Sequence, residues 1–392
     1  MRILVINYEY PPIGGGGGFV TRDIFEHIVG LGHSVTVITS SYKGLKRRER
    51  VNGVEIIRVP VFFRKKIEVA NTPSMLSYLP TSLLEAIFHL NRRMYDIINT
   101  HFAIPSGPTG YALARIHRRP NVLSIHGGDI FDPSKPLSPH KTPLLSMTVS
   151  CILRTADRIV AQSNDTKINA KKYYDSKRHI DVIPLGIKKP VFEKKKRQDF
   201  DLEPDDTVLC TIGRLVSRKN IDEILAILSE LKDKHRFKFL IIGEGPQRLH
   251  LEKLAIGYGL NGVVRFLGNV SDEVKFQILN LSDCYLSTAS HEGFGLVFLE
   301  AMECGLPIIC YNRGGQTDFL VNDKTGFLVE LDDKKAFRNK LVELITNQAL
   351  IDRFSRYNKQ LAKEFYISGC AEKYIALFHE VILMHREKRK HG

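Results

Sequence analysis

Two carboxylates, Glu292 and Glu300, stand eight residues apart in His291-Glu292-Gly293-Phe294-Gly295-Leu296-Val297-Phe298-Leu299-Glu300. The Gly-Phe-Gly between them makes a tight turn, and the apolar run that follows, to Cys304, reads as a helix. Such a turn exposes backbone N–H groups at a helix N-terminus, where an anion binds readily. Glu292 then lies in the loop and Glu300 one to two turns into the helix. Both acids can face one small ligand from different heights. N–H groups for phosphate and carboxylates for hydroxyls suit a sugar nucleotide. The competing reading is a strand–turn–helix with two solvated acids.

Other segments offer complementary chemistry. Gly213-Arg214-Leu215-Val216-Ser217-Arg218-Lys219-Asn220 places Arg214 and Lys219 on one short loop, where both cations can converge on a diphosphate. Arginine suits a bidentate phosphate contact and lysine supplies a compact charge. Gly243-Glu244-Gly245-Pro246 and Gly268-Asn269-Val270 each follow an apolar run, and Gly314-Gly315-Gln316-Thr317-Asp318 closes another with an acid. In the first half, His126-Gly127-Gly128-Asp129 sits at a strand exit, and His101 ends the preceding strand. Five glycines, Gly14–Gly18, give a backbone that a ligand can approach with no Cβ in the way. They do not make a dinucleotide-binding fingerprint. From Gly14 or Gly15 the third glycine falls on Phe19 or Val20, and the frame that ends on Gly18 begins on Ile13. The second strand ends Thr39-Ser40-Ser41 with no acid for a ribose, which also weighs against NAD.

The elements that must position these residues alternate. Arg2–Asn7, Ser34–Thr39, Val54–Val59, Ile97–Thr100, Asn121–Ile125, Arg158–Gln162 and Ile180–Ile183 read as strands, with helices such as Val20–Leu31 and Thr109–Ile116 between them. The same grammar restarts at Thr207–Ile212 and continues through strands at Lys238–Ile242, Val263–Leu267, Cys284–Ser287 and Pro307–Tyr311. Helices are expected at Ile221–Lys232, Pro246–Ala255, Glu273–Leu281 and Leu296–Cys304. This pattern predicts parallel sheets with helices on both faces, and ligands beyond the C-terminal ends of the strands. Domains are expected over 1–185 and 207–365, joined by a lysine-rich linker over 186–206. A C-terminal helix is expected within 366–392.

Length alone, 392 residues, favours two domains. No stretch approaches the roughly 18 apolar residues that span a bilayer, and Met1–Tyr8 reads as a buried strand rather than a signal peptide. Six cysteines without C-x-x-C or metal spacing point to buried thiols in a reducing cytoplasm. Residues 1–185 hold 25 Lys and Arg against 14 Asp and Glu, leaving 32 against 29 for 186–392. The first half is thus net +11 and the second +3. Nucleic acid, an anionic membrane surface, an anionic acceptor or a plain solvated face each fit that excess. No aromatic interleaving or nucleic-acid module accompanies it, so nucleic acid is excluded as the reading.

Taken in order, these motifs resemble retaining glycosyltransferases of family four, the group 1 enzymes of GT-B type. The resemblance implies an α/β fold of two facing Rossmann-like, doubly wound parallel-sheet domains with an interdomain cleft. It implies transfer of a hexose-type sugar from a UDP- or GDP-sugar to a hydroxyl of a glycan or lipid-linked acceptor, with no metal and no resident cofactor. By that resemblance His126, Arg214, Lys219 and Glu292 serve the reaction. His126 contacts the transferred sugar and its carbonyl faces the charge that develops at the anomeric carbon. Glu292 holds sugar hydroxyls and Glu300 the ribose. The donor is further met by Gly15, Gly16 and Gly17 of a mobile glycine loop, and by Asp129, Gly213, Gly243, Gly245, Asn269, Val270, Gly293, Phe294, Gly295 and Leu296. His101 lines the acceptor side or is structural. The last helix crosses back to the first domain. Asn220 replaces the family's usual glycine.

Phe62-Phe63-Arg64-Lys65-Lys66-Ile67 and the stretch Ser74–Tyr95 mix apolar and basic residues. Leu76, Leu79, Leu83, Leu84, Ile87, Phe88 and Leu90 form an apolar stripe with Arg92 and Arg93 at its end. An interfacial helix and an ordinary core-facing helix both look like this. The expected location is cytoplasmic, with the inner face of the membrane as a candidate surface. A sugar-nucleotide epimerase, a phosphorylase and a non-catalytic relative of the same fold are the alternatives.

Overall fold

The computed structural model describes residues 1–64, 67, 70–89, 95–174 and 177–390. The chain divides into two compact units: Met1–Ile187 with Ile367–Gly392, and Lys188–Tyr366. Among the described residues no helix is long and apolar enough to cross a membrane.

The first unit runs β1 (Arg2–Asn7), α1 (Gly16–Gly30), β2 (Ser34–Ser40), β3 (Arg48–Val51), β4 (Val54–Val59), α2 (Thr72–His89), β5 (Ile97–His101), α3 (Gly107–His117), β6 (Asn121–Ile125), α4 (Pro143–Thr155), β7 (Arg158–Ala161), α5 (Asn164–Tyr174) and β8 (Ile180–Val182). Its sheet has the order β3-β4-β2-β1-β5-β6-β7-β8. All pairs are parallel except β3 with β4. β1 is buried on both faces from Ile3 onward, as a central strand covered on each side must be. The order reverses between β1 and β5, so the loops that leave those strands splay apart and open a crevice.

The second unit continues with β9 (Thr207–Ile212), α6 (Ile221–Ser229), β10 (Phe237–Ile242), α7 (Arg248–Gly257), β11 (Val264–Gly268), α8 (Asp272–Leu281), β12 (Cys284–Ser287), α9 (Leu296–Glu303), β13 (Ile308–Tyr311), β14 (Gly326–Val329), α10 (Lys334–Ile345) and α11 (Gln348–Ala362). Its six parallel strands lie in the order β11-β10-β9-β12-β13-β14, with the reversal between β9 and β12. Its core joins Leu209, Phe239, Ile241, Leu286 and Ile309 from the strands to Ile224, Leu228, Phe337 and Phe354 from the helices. The final helix, α12 (Ile367–Lys390), belongs to the first unit. There Tyr374 Oη lies 3.1 Å from Ser124 Oγ, and Glu380 pairs with Arg158.

Three expectations change. The glycine run is a loop only at Gly14 and Gly15, because Gly16–Gly18 form the first turn of α1. A Cβ at Gly18 would sit 2.9 Å from the Glu9 carbonyl oxygen, and one at Gly17 would sit 2.7 Å from Phe102 Cζ. Close packing requires glycine here and outweighs its poor helix propensity of about 1 kcal/mol. The stretch 186–206 is not a free linker: from Lys188 it folds with the second unit. Arg197 clamps it there, 2.8 Å from both carboxylate oxygens of Asp283, and Leu202 is buried. Two strands, β3 and β14, were not expected.

Candidate functional site

In the second unit the loops after β9 and β12 flank the point where the strand order reverses. They are stitched together. Thr288 Oγ1 donates to the Asn220 carbonyl at 2.7 Å, and the Ser290 N–H donates to the Arg218 carbonyl at 2.9 Å. At the seam Lys219 Nζ meets Glu292 Oε1 directly. Arg218 Nη1 lies 3.3 Å from Glu292 Oε2 and donates to the His291 carbonyl at 2.8 Å. Glu292 and Lys219 are both largely buried. Burial alone would raise the Glu292 carboxyl, but Lys219 and Arg218 overcome it and hold the group down at about 2, ionised at any physiological pH. Burial also draws the Lys219 ammonium below its ordinary value, against the pull of Glu292.

The cluster sits where the backbone comes close. A Cβ at Gly213 would lie 3.2 Å from Lys219 Nζ, one at Gly243 2.1 Å from the Gly213 carbonyl oxygen, and one at Gly245 2.3 Å from the Leu215 carbonyl oxygen. Gly295, at φ +90°, caps α9, and Leu296 begins it. The first N–H groups of a helix have no acceptor within it, so this end is an electropositive pole. Phe294 is buried against Phe319 and holds the turn. Asn269 is exposed and Val270 half-buried just beyond Gly268, whose carbonyl accepts the Gly243 N–H at 2.8 Å. Glu300 lies 2.7 Å from Lys275 Nζ on α8.

In the first unit His126 and Asp129 leave β6. The side chain of Asp129 holds the loop: Oδ1 accepts the His126 N–H at 2.8 Å and Oδ2 the Ala103 N–H at 2.7 Å. Burial raises its carboxyl to about 6, with those N–H groups opposing. His101 is fully buried, so it is not an acceptor-lining surface. Its Nε2 lies 2.7 Å from Asn99 Oδ1 and its Nδ1 2.9 Å from His126 Nε2. Burial holds His101 well below the usual histidine range and brings His126 down to about 4. Gln162 Nε2 donates to the His126 carbonyl, so that carbonyl, expected to face the reacting carbon, already has a donor.

The structure thus joins Lys219, Glu292, Gly213, Gly243, Gly245 and the Gly293–Leu296 turn, and separately His126, His101, Asp129 and Gly17. Arg214 is exposed on its loop, and Arg218 reaches Glu292. The Gly315 N–H donates to the Glu292 carbonyl at 2.7 Å. Sequence reasoning passed over Arg218, Asn99, Gln162 and Lys275. Only Asn99 carried a signal, since Asn99 and His101 are two apart on one strand and share a face.

Comparison with known proteins decides the family. The model of the group 1 glycosyl transferases matches residues 192–361, and that of glycosyltransferase family 4 matches residues 14–189. The chain belongs to the group 1 glycosyltransferases. It is therefore an enzyme that transfers sugars. It is 28% identical to an uncharacterized glycosyltransferase of Methanocaldococcus jannaschii over 93% of this chain and 96% of that one. It is 24% identical to N-acetyl-alpha-D-glucosaminyl L-malate synthase of Bacillus anthracis over 95% and 96%. Among solved structures, sucrose-phosphate synthase of Thermosynechococcus elongatus superposes with a TM-score of 0.86 at 20% identity, covering 98% and 100%. The Anabaena HepE protein in complex with UDP-glucose superposes with 0.77 at 18%, covering 97% and 100%. These likenesses show the two-sheet GT-B fold. The junction between the two family models, at 189–192, falls beside the boundary of the compact units at Ile187.

Proposed function

We propose that this group 1 glycosyltransferase moves a hexose from a UDP-sugar to an acceptor hydroxyl with retention of anomeric configuration and without a metal. The observation that carries this is the buried Lys219–Glu292–Arg218 cluster beside the N-terminus of α9, at the point where the second sheet reverses. Arg214, Arg218 and Lys219 set three cations against one acid on the two loops, a surplus that suits a diphosphate. Glu300 would exchange Lys275 for ribose hydroxyls. HepE with UDP-glucose and the N-acetylglucosaminyl enzyme of Bacillus anthracis support a UDP-linked glucose or N-acetylglucosamine over a GDP-sugar. In the reaction the acceptor oxygen bonds to the anomeric carbon on the face from which the diphosphate departs. The carbon–phosphate oxygen bond breaks, and the acceptor's proton passes to a phosphate oxygen of the leaving group. The protein positions both partners and stabilises the departing charge.

The acceptor is proposed to be lipid-linked, met at an anionic membrane surface on the cytoplasmic side. α2 supports this. Tyr78, Ser82, Glu85 and Ala86 face inward, while Leu76, Leu79, Leu84 and Ile87 are exposed, next to exposed Phe62 and Phe63. The side chain of Phe88 and residues Lys65, Lys66, Leu90, Arg92 and Arg93 lie outside what the structure describes. Cosedimentation with anionic vesicles at moderate salt tests the surface. Binding weakened by Leu76→Glu with Leu84→Glu is expected, and wild-type protein left in the supernatant ends this part of the reading.

Turnover of UDP-glucose or UDP-N-acetylglucosamine with hydroxyl acceptors in EDTA, with the product's anomeric configuration read by NMR, tests the reaction. An α-linked product in EDTA is expected. A β-linked product, or activity that returns only with Mg²⁺ or Mn²⁺, contradicts it.

A further inference from the structure

Glu292 has two cations beside it, and they are held differently. Arg218 is anchored by the seam between the loops after β9 and β12. Its Nη1 donates to the His291 carbonyl at 2.8 Å and lies 3.3 Å from Glu292 Oε2. Its own carbonyl accepts the Ser290 N–H at 2.9 Å. Lys219 Nζ meets Glu292 Oε1 and no other hydrogen-bond partner among the described residues. An ammonium carries three donors, so two of those on Lys219 are uncommitted. A Cβ at Gly213 would press to 3.2 Å from Nζ, so glycine leaves that flank of the ammonium open. The lysine is the cation that can turn, and the arginine is the one that cannot.

The charge on Glu292 depends on this pair. The carboxylate is buried, and Lys219 and then Arg218 are the cations that hold it ionised. Tyr285 on β12 and Cys310 on β13 also face it, and burial keeps both neutral. Arg214 acts on Lys219 from the same loop. A diphosphate arriving beside these loops would draw the ammonium with its uncommitted donors and leave the anchored guanidinium in place. A buried carboxylate stripped of both cations would be strongly disfavoured.

We propose that Arg218 is a positioning residue that keeps Glu292 charge-paired when Lys219 turns from it to the diphosphate of the donor. This rests on the reading of the second unit as the diphosphate site. No covalent bond changes. The Lys219–Glu292 pair is exchanged for a Lys219–diphosphate pair, and the Arg218–Glu292 pair persists. Without Arg218 the same turn leaves the buried carboxylate alone, and it takes a proton from solvent with each nucleotide bound.

Calorimetric titration of the full chain with UDP in EDTA, in buffers of different ionisation enthalpy, counts the protons taken up. The nucleotide's own titration is common to every variant and cancels in the differences. Arg218→Met should take up close to one proton more per UDP than the wild type near neutral pH. Its affinity relative to the wild type should then rise by up to about tenfold for each unit of falling pH. Arg218→Lys restores a charge and should remove the extra proton. A loss of affinity by the same factor at every pH, with no extra proton, shows that Arg218 only stitches the loops and overturns the proposal. An extra proton in Arg218→Lys as large as in Arg218→Met overturns it too. If Arg218→Met does not fold, side-chain nitrogen-15 spectra of the wild type decide. UDP should shift the Lys219 ammonium signal, assigned by its loss in Lys219→Arg, and leave the Arg218 Nε signal, assigned by its loss in Arg218→Lys, in place. A moving Arg218 signal with a still Lys219 overturns the proposal. A folded wild type that gives neither heat nor shift with UDP defeats the reading of the site, and the handover with it.

Discussion

The loop after β12 and the loop after β6 both leave interior strands near the reversal of their sheets, yet they are built from opposite materials. Glu292 is held by full charges, Lys219 and Arg218, in a setting where burial and Coulombic attraction compete. His126 is held by neutral groups, Asn99, His101, Gln162 and the backbone, with both rings kept uncharged by burial. A charged cluster can take up a departing diphosphate. A neutral relay can orient a sugar but cannot absorb charge.

The sharpest way to break this contrast is to remove one member of each. Glu292→Ala would strand two cations, one of them deeply buried, and should destabilise the second unit by about 3–5 kcal/mol, read as a lower urea midpoint. A loss under 1 kcal/mol would mean that water already relieves the cluster.

Next in size is a pH effect hidden in the first unit. His126 titrates near 4 in the folded chain and near 6.5 unfolded, so acidification below 6.5 protonates the unfolded state first and lowers stability. Asp129 does the reverse: its folded carboxyl, near 6, takes a proton before the unfolded one at 3.8, which raises stability as pH falls. The two largely offset. In Asp129→Asn the compensation disappears, and the stability read from urea unfolding between pH 7 and 4.5 should fall more steeply than in the wild type, by up to about 2 kcal/mol. Parallel slopes would show that the two groups are not coupled to folding in this way.

Lys219→Ala should lower kcat/KM at least tenfold, about 1.4 kcal/mol of transition-state stabilisation. An unchanged value would remove Lys219 from the site. The smallest effect belongs to the neutral side. Thr21→Val gives up one buried hydrogen bond and should cost about 1 kcal/mol of stability. A cost several times larger would show that the relay is cooperative.

The strands legible in the sequence were the apolar, doubly buried ones, such as β1, β6, β9 and β12. β3, with the sequence Arg48-Glu49-Arg50-Val51, escaped because it is an exposed edge whose only reason for being extended is β4 beside it. Gly16–Gly18 read as loop because propensity speaks against a glycine helix, and only the nearness of Glu9 and Phe102 explains it. The chemistry of the second unit was legible because its motifs are contiguous. The partners of those motifs were not: Lys275 reaches Glu300 from 25 residues away. Arg218 lay inside the predicted loop, but its reach to Glu292 depends on how Ser290 and His291 stitch across from the loop after β12.

The central claim is that the second unit holds a nucleotide sugar through Glu300 and the Lys219–Glu292 cluster. Thermal unfolding in EDTA against UDP-glucose, UDP-N-acetylglucosamine, GDP-mannose and NAD⁺ tests it most directly. A ligand at 100 times its Kd stabilises by about 2.7 kcal/mol, a shift of a few degrees. A shift with a UDP-sugar that disappears in Glu300→Ala is the predicted result. A shift with NAD⁺ alone, with none of the ligands, or one that survives intact in Glu300→Ala would contradict it.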